Sequence, residues 1–320
     1  MTLARSLVAV VLVGVTGLIG WRVLRPAELS SAGAVPAAVP AQPGLTGRMS
    51  VVPLLLDGQF RVFVSRRQVR ADGPVSAKTA RTPFWSLRRW PASVSGVVTS
   101  GPTVVSRWSD GVVIAVDGRT GRHLWRASVP SAPAFSDART VLWSPPDMFA
   151  ATDVAMFRAD GQVRALSLTT GALAWTASCP APAFATPFEI ACGPTLLAAS
   201  TGTPVATGPF TGVECHVGCL AARDATGHVW RAGRPISYPP PPPGNILLGT
   251  AAGVSYELTP ARHLLARDLT TGALRGDFAL AFPNDPTTWT PRGWQLAAGY
   301  LAIDRGPTFT RDQILIAKLP

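Results

Sequence analysis

The sequence predicts an all-β chain: a β-propeller of about six four-stranded blades, with bounds of five and seven, preceded by one N-terminal apolar helix. Three observations predict it. Asp110-Gly111 recurs 50 residues on as Asp160-Gly161, Thr120-Gly121 as Thr170-Gly171, and Trp125 as Trp175. The stretches between these turns are short, of strand length, with one large aromatic per unit. Weaker copies continue on both sides, and a period of this size signals a repeat architecture.

Each unit reads as strand, Asp-Gly, strand, Thr-Gly, strand. Asp-Gly marks a hairpin because glycine takes positive φ at little cost. Val154 to Phe157 leads into Asp160-Gly161, and Val163 to Leu168 follows it. Thr170-Gly171 turns the chain again, and Ala172 to Trp175 closes the unit. The preceding unit runs from Val104 to Trp125 in the same order. A third copy is read at Arg223 to Trp230, with Thr226-Gly227 as its turn. A fourth at His263 to Gly272 keeps Thr271-Gly272 and lacks the tryptophan. Partial copies at Asp57-Gly58-Gln59 and Asp312 to Leu319 flank these four, and six units span about 48 to 320. The last copy stops early, so a strand from the N-terminal side, Ser50 to Leu56, is expected to complete the final sheet and close the ring, which would protect strand edges. A β-sandwich with chance turn matches is the competing fold.

On these residues the chain resembles the PQQ-like β-propeller repeat family. The resemblance rests on Asp110-Gly111, Ile114 to Asp117, Thr120-Gly121 and Trp125, and on their copies ending at Trp175. It implies that the tryptophan docks on the neighbouring blade and that the Thr-Gly turn holds the hairpin. Trp125, Trp175 and Trp230 are therefore expected to be packing residues. Large buried area repays a fixed place between sheets.

Ser6 to Trp21 carries no charge, with Arg5 before it and Arg22 and Arg25 after it. A sixteen-residue helix spans about 24 Å, and adding Val23 and Leu24 brings a membrane span within reach. Residues 1–25 are read as an anchor, with residues 6–24 in the membrane, and a cleaved signal peptide is the alternative. Residues 26–47 are rich in Pro, Ala, Gly and Ser, with Glu28 their sole charge, and read as an extended linker. The domain is expected over 48–320, outside the cytoplasm, as a monomeric propeller.

The net charge is +11, of which +8 lies beyond residue 25. Lysine occurs only at 78 and 318, so the charge is nearly all arginine. A basic domain beside a membrane suits anionic lipid or wall polymer, although composition bias gives the same excess. No nucleic-acid-binding pattern accompanies Arg66-Arg67 or Arg88-Arg89. The four cysteines, Cys179, Cys192, Cys215 and Cys219, fall within 41 residues. An even number outside the cytoplasm points to disulfides, and the pairs taken are 179 with 192 and 215 with 219, among three connectivities. A metal site on Cys215, His216 and Cys219 lacks zinc-knuckle spacing. Tyr238 followed by Pro239 to Pro243 reads as a stiff loop, or as a polyproline ligand.

The resemblance also raises quinoprotein dehydrogenases, which use pyrroloquinoline quinone and calcium. Such enzymes are longer and eight-bladed. The adjacent cysteine pair that many of them carry is missing here, and asparagine, a calcium-cage residue, occurs only at 245 and 284. None of G-x-S-x-G, H-E-x-x-H or the P-loop is present. The histidines at 123, 216, 228 and 263 and the acids at 304 and 312 form no legible catalytic set. The reading is therefore a non-enzymatic binding module without a cofactor, resembling the envelope assembly scaffolds of the family, with an envelope protein as partner. A glycan- or ligand-binding sensor is the alternative, for which Trp289 and Trp294 are the residues to watch.

Overall fold

The computed structural model describes residues 11–18, 20–21, 26–33, 42–56, 60–73, 83–134, 142–180, 183–212, 222–223, 229–231, 234–236, 242–269, 271–283, 285, 289–297, 299–306, 309 and 313–320. After a short helix over 11–18, the chain is built from antiparallel sheets: six of four strands and one of five. Seven blades lie at the upper bound of the sequence expectation.

Blade 1 contains Leu54–Leu56, Phe60–Ser65, Gln68–Asp72 and Trp85–Trp90. Blade 2 contains Val94–Ser100, Thr103–Trp108, Val112–Asp117 and His123–Ser128. Blade 3 contains Met148–Ala150, Val154–Ala159, Gln162–Ser167 and Leu173–Ser178. Blade 4 contains Ala183–Ala185, Glu189–Cys192, Thr195–Ala198 and Pro204–Thr207. Blade 5 contains Thr211–Gly212, Ala222–Arg223, Val229–Arg231 and Arg234–Ile236. Blade 6 contains Ile246–Ala251, Val254–Leu258, His263–Asp268 and Leu274–Ala279. Blade 7 takes Gly293–Ala297, Tyr300–Asp304 and Ile314–Lys318 from the C-terminal end.

The fourth strand of blade 7 is Gly44–Met49, paired antiparallel with Ile314–Lys318. An N-terminal strand thus completes the last sheet, but it is not the one expected. Leu54–Leu56 lies in the expected stretch and is instead the innermost strand of blade 1. Burial explains the difference. Three leucines in a row suit a strand covered on both faces, and all three are buried. The closing strand is half-buried along most of its length, which suits Gly44 to Met49. Two strands also fall in the stretch read as a linker. Ala27–Ala32 adds a fifth, outermost strand to blade 1, in continuous register from Ala27 opposite Trp90 to Ala32 opposite Trp85.

At the seam between blades 7 and 1 a buried amide bridges the inner edges. Gln295 is fully buried; its Oε1 accepts from the Leu55 N–H at 2.7 Å and its Nε2 donates to the Leu55 carbonyl at 3.3 Å. The amide occupies the inner edge of blade 1 where a further strand would otherwise pair. Between blades 6 and 7, the Trp294 indole donates to the Leu248 carbonyl at 2.7 Å. Side chains of blades 1, 2 and 7, with Leu142 and Trp143, form one apolar cluster, and those of blades 6 and 7 form another.

Candidate interaction surface

The repeat residues form interlocks between blades. The Trp85 indole donates to the Gly118 carbonyl at 2.7 Å, Trp125 to Leu168 at 2.7 Å and Trp175 to Ala199 at 2.9 Å. Each tryptophan lies in the first half of the fourth strand of one blade and reaches the turn between the third and fourth strands of the next. The glycine of that turn lies under the ring. A Cβ at Gly121 would stand 2.5 Å from the Trp85 Cβ, and one at Gly171 or Gly202 would stand 2.7 or 2.6 Å from the Trp125 or Trp175 ring.

The Thr-Gly turn has one wiring throughout. The glycine N–H bonds the carbonyl four residues back: Gly121 to Asp117, Gly171 to Ser167, Gly202 to Ala198 and Gly272 to Asp268. The threonine hydroxyl accepts from the N–H two residues on, in Thr120, Thr170, Thr201 and Thr271 alike. Each glycine has φ between 71° and 73°, where a side chain is strained. Thr201-Gly202 is a true copy that the spacing did not reveal. Thr226-Gly227, read as a copy, lies outside the described residues. Trp230 sits on the third strand of blade 5, opposite Ala222, instead of on an outermost one.

The two Asp-Gly turns differ from each other. Asp160 and Gly161 both take positive φ, 51° and 69°, and form a two-residue hairpin. Gly111 ends a three-residue loop, and a Cβ there would stand 2.3 Å from the Val129 carbonyl oxygen. Asp110 turns to the neighbouring blade and takes a bidentate pair from Arg89, 2.9 Å on each side. Burial pushes the Asp110 carboxyl up, but the Arg89 bonds and the Val112 N–H outweigh it and hold the group below the usual carboxylate range.

Cys179 and Cys192 form the expected disulfide, which joins the end of blade 3 to the second strand of blade 4. Cys215 and Cys219 lie outside the described residues, as do His216, His228, Asp312 and Tyr238 to Pro241. Trp289 and Trp294 are both buried, so their role is core packing. Trp143 was not singled out in the sequence, yet its indole spans from the loop ahead of blade 3 to the Pro53 carbonyl of blade 1 at 2.6 Å. Asp304 is buried, accepting from Gly306 N at 2.7 Å and Gln313 Nε2 at 2.8 Å. His263 pairs with Asp277 at 2.7 Å. Among the described residues no three His, Cys, Asp or Glu side chains gather as a metal site would require.

Glu28, the one charge of the expected linker, is the centre of an ion network. It stands 3.3 Å from Arg89, 2.9 Å from Arg126 and 3.6 Å from His123. Strand 27–32 is therefore fastened to blade 1 by backbone pairing and to blade 2 by charge. Ahead of it, the helix leaves Leu12, Val13, Leu18 and Trp21 exposed, the last at 66%. Among the described residues no helix is long and apolar enough to cross a membrane.

The family model described as outer membrane protein assembly factor BamB matches residues 16–275. No curated protein matches this chain. Among solved structures, the crystal structure of BamB from Moraxella catarrhalis is similar over 85% of this chain and 85% of that one, at 12% identity and a TM-score of 0.43.

Proposed function

Because the chain belongs to the BamB family of PQQ-like β-propellers, we propose that it is a non-enzymatic scaffold of the cell envelope, tethered by its N-terminal segment and presenting blade loops to an envelope protein. The observation that carries this reading is the interlocked ring. Three Trp-on-Gly contacts, a disulfide and the Gln295 seam fix successive blades against one another. A rigid ring holds loops from several blades in one arrangement, which suits binding to a protein surface.

The tether reading draws support from the helix. Its apolar side chains face solvent instead of the propeller, and such a surface is stable only when covered by an apolar phase. The anchored stretch is residues 6–24, and the propeller lies outside the cytoplasm, where the disulfide persists.

In-cell cross-linking of the full chain, beside a version lacking residues 1–25, tests both parts. One envelope complex recovered reproducibly with the full chain, and lost with the truncation, is the expected result. Recovery of nothing but abundant neighbours counts against the scaffold. Extraction of the full chain from membranes by alkaline carbonate counts against the anchor. Dye reduction by the protein with added quinone and calcium, over a panel of alcohols and sugars, would replace the scaffold with the dehydrogenase reading.

A further inference from the structure

We propose that one face of blade 1, at its seam with blade 7, is a membrane-facing surface that engages anionic phospholipid headgroups. The proposal deepens the tethered reading and rests on it. It starts from chain length. Five residues lie between Trp21 and Ala27, and the six Cα–Cα steps reach about 20 Å when fully extended. Strand 27–32 is paired along its whole length with 85–90 and pinned by Glu28. The end of the helix is therefore confined to the neighbourhood of blade 1.

The side chains there suit a headgroup layer. Register places Leu29 opposite Arg88 and Ala27 opposite Trp90, with Arg70 opposite Ser86 on the same face. Leu29 is 64% exposed, and Arg66 and Arg88 are exposed. The Arg67 guanidinium lies over the Trp90 ring, 3.8 Å from its centroid. An exposed leucine, a half-exposed tryptophan and several arginines are what the boundary of an anionic bilayer selects. The acid on this face is Asp72, which is fully buried and stands 3.8 Å from Arg70. The other face of the same strand is different in kind: Trp85, Leu87 and Arg89 are buried, with Trp85 and Arg89 bonded to blade 2.

The ring closure accounts for the opening. In the position that Trp85, Trp125 and Trp175 hold in blades 1 to 3, blade 7 has Gly47, opposite Ile316. Among the described residues no indole hydrogen bond from the closing strand to blade 1 takes that place, and the outer part of the blade 1 face stays accessible. Other outermost strands differ: Arg126 of blade 2 and Arg48 of blade 7 are paired with Glu28 and Asp285, and blade 5 carries Arg234. The outermost strands of blades 3 and 4, Leu173–Ser178 and Pro204–Thr207, carry no charged residue, and that of blade 6 balances Arg275 with Asp277.

The test uses the full chain in nanodiscs of phosphatidylcholine, with and without phosphatidylglycerol. A photoreactive benzoylphenylalanine is placed at Gln68, or at Thr176 on blade 3 as control. The expected result is a lipid adduct at Gln68 in the phosphatidylglycerol discs, several-fold above phosphatidylcholine alone, and little at Thr176. The double variant R67Q/R88Q and, on the unmodified chain, added salt should each reduce the adduct several-fold. The salt arm keeps the test valid should the variant misfold. Equal adducts at the two sites, or an adduct insensitive to headgroup charge, overturn the proposal. A chain that stays in the discs without forming lipid adducts overturns it while leaving the anchor standing. A chain that does not enter the discs removes the anchor and the proposal together.

Discussion

Replacing Gly171 with alanine tests the interlock directly, because the fold supplies its own control. Gly171 and Gly272 occupy the same turn with the same wiring and φ values of 73° and 71°. A Cβ at 171 would stand 2.7 Å from two Trp125 ring carbons, whereas at 272 it would meet nothing within 4 Å. The backbone cost is common to both, about 1–2 kcal/mol for a side chain held in the left-handed region. Gly171→Ala adds overpacking against a buried indole, about 1–3 kcal/mol. The total is then about 2–5 kcal/mol against about 1–2 for Gly272→Ala. For a domain of this size each kcal/mol moves Tm by about 2 °C, so the expected falls are about 4–10 °C and about 2–4 °C. Urea unfolding at matched m-values measures the same gap. In a Trp125→Leu background the excess at Gly171 should largely vanish, since the clash has lost its partner. Equal losses for the two glycines, or an excess that survives in the leucine background, would falsify the interlock account.

Reduction of the Cys179–Cys192 bridge, or C179S, should lower stability by about 3 kcal/mol, the loop-closure value for about fifteen residues, read from urea midpoints with and without reductant. Gln295→Ala leaves the Leu55 N–H and C=O without their partner, at about 1–3 kcal/mol for each buried group, and hydrogen exchange should accelerate at Leu55 well before it does in blade 3. Asp110 has a folded-state pKa below its unfolded value, so its stabilising share is complete above the ordinary aspartate pKa and is lost as pH falls through the depressed one. Asp110→Asn should flatten the acid limb of the stability curve and change little at neutral pH beyond the lost ion pair; an unchanged acid limb would remove Asp110 from that role.

What the sequence revealed depended on how local the constraint was. The Asp-Gly and Thr-Gly turns were legible because each needs glycine at a positive φ within four or five residues. Trp125 and Trp175 were legible because an aromatic followed each turn at fixed distance. Thr201-Gly202 escaped because Ala206 stands where the tryptophan would be and the step from Gly171 shrinks to 31 residues. Thr226-Gly227, followed by Trp230, was read as the third copy and lies outside the described residues. Glu28 was read as the lone charge of a linker, since its partners Arg89, His123 and Arg126 lie 61 to 98 residues away. The closing strand was expected one segment late because Leu54 to Leu56 carries the stronger strand signal, and nothing local distinguishes an innermost strand from a closing one.

The repeat weakens in blade 4 and again where the ring closes, and at the closure packing requires it to. Ala71, Ala115 and Ala165 on third strands stand opposite Trp85, Trp125 and Trp175, a small residue beneath each large one. In blade 4 the sizes are exchanged, Leu196 opposite Ala206, and in blade 7 Ile316 stands opposite Gly47. Blade 6 has Ala266 opposite Gly276, and the vacancy is taken by Pro320, whose Cγ would lie 2.8 Å from a Cβ at Gly276. A tryptophan at 276 would have no receiving turn, because blade 7 passes from Lys318 at one end of the chain to Gly44 at the other without a third-to-fourth turn. Closing a propeller with strands from both termini therefore deletes two interlocks, one on each side of the closing blade. Blade 6 fills its gap with Pro320. On the blade 1 side no such side chain enters among the described residues, and there blade 1 presents Arg67, Arg70 and Arg88 beside strand 27–32.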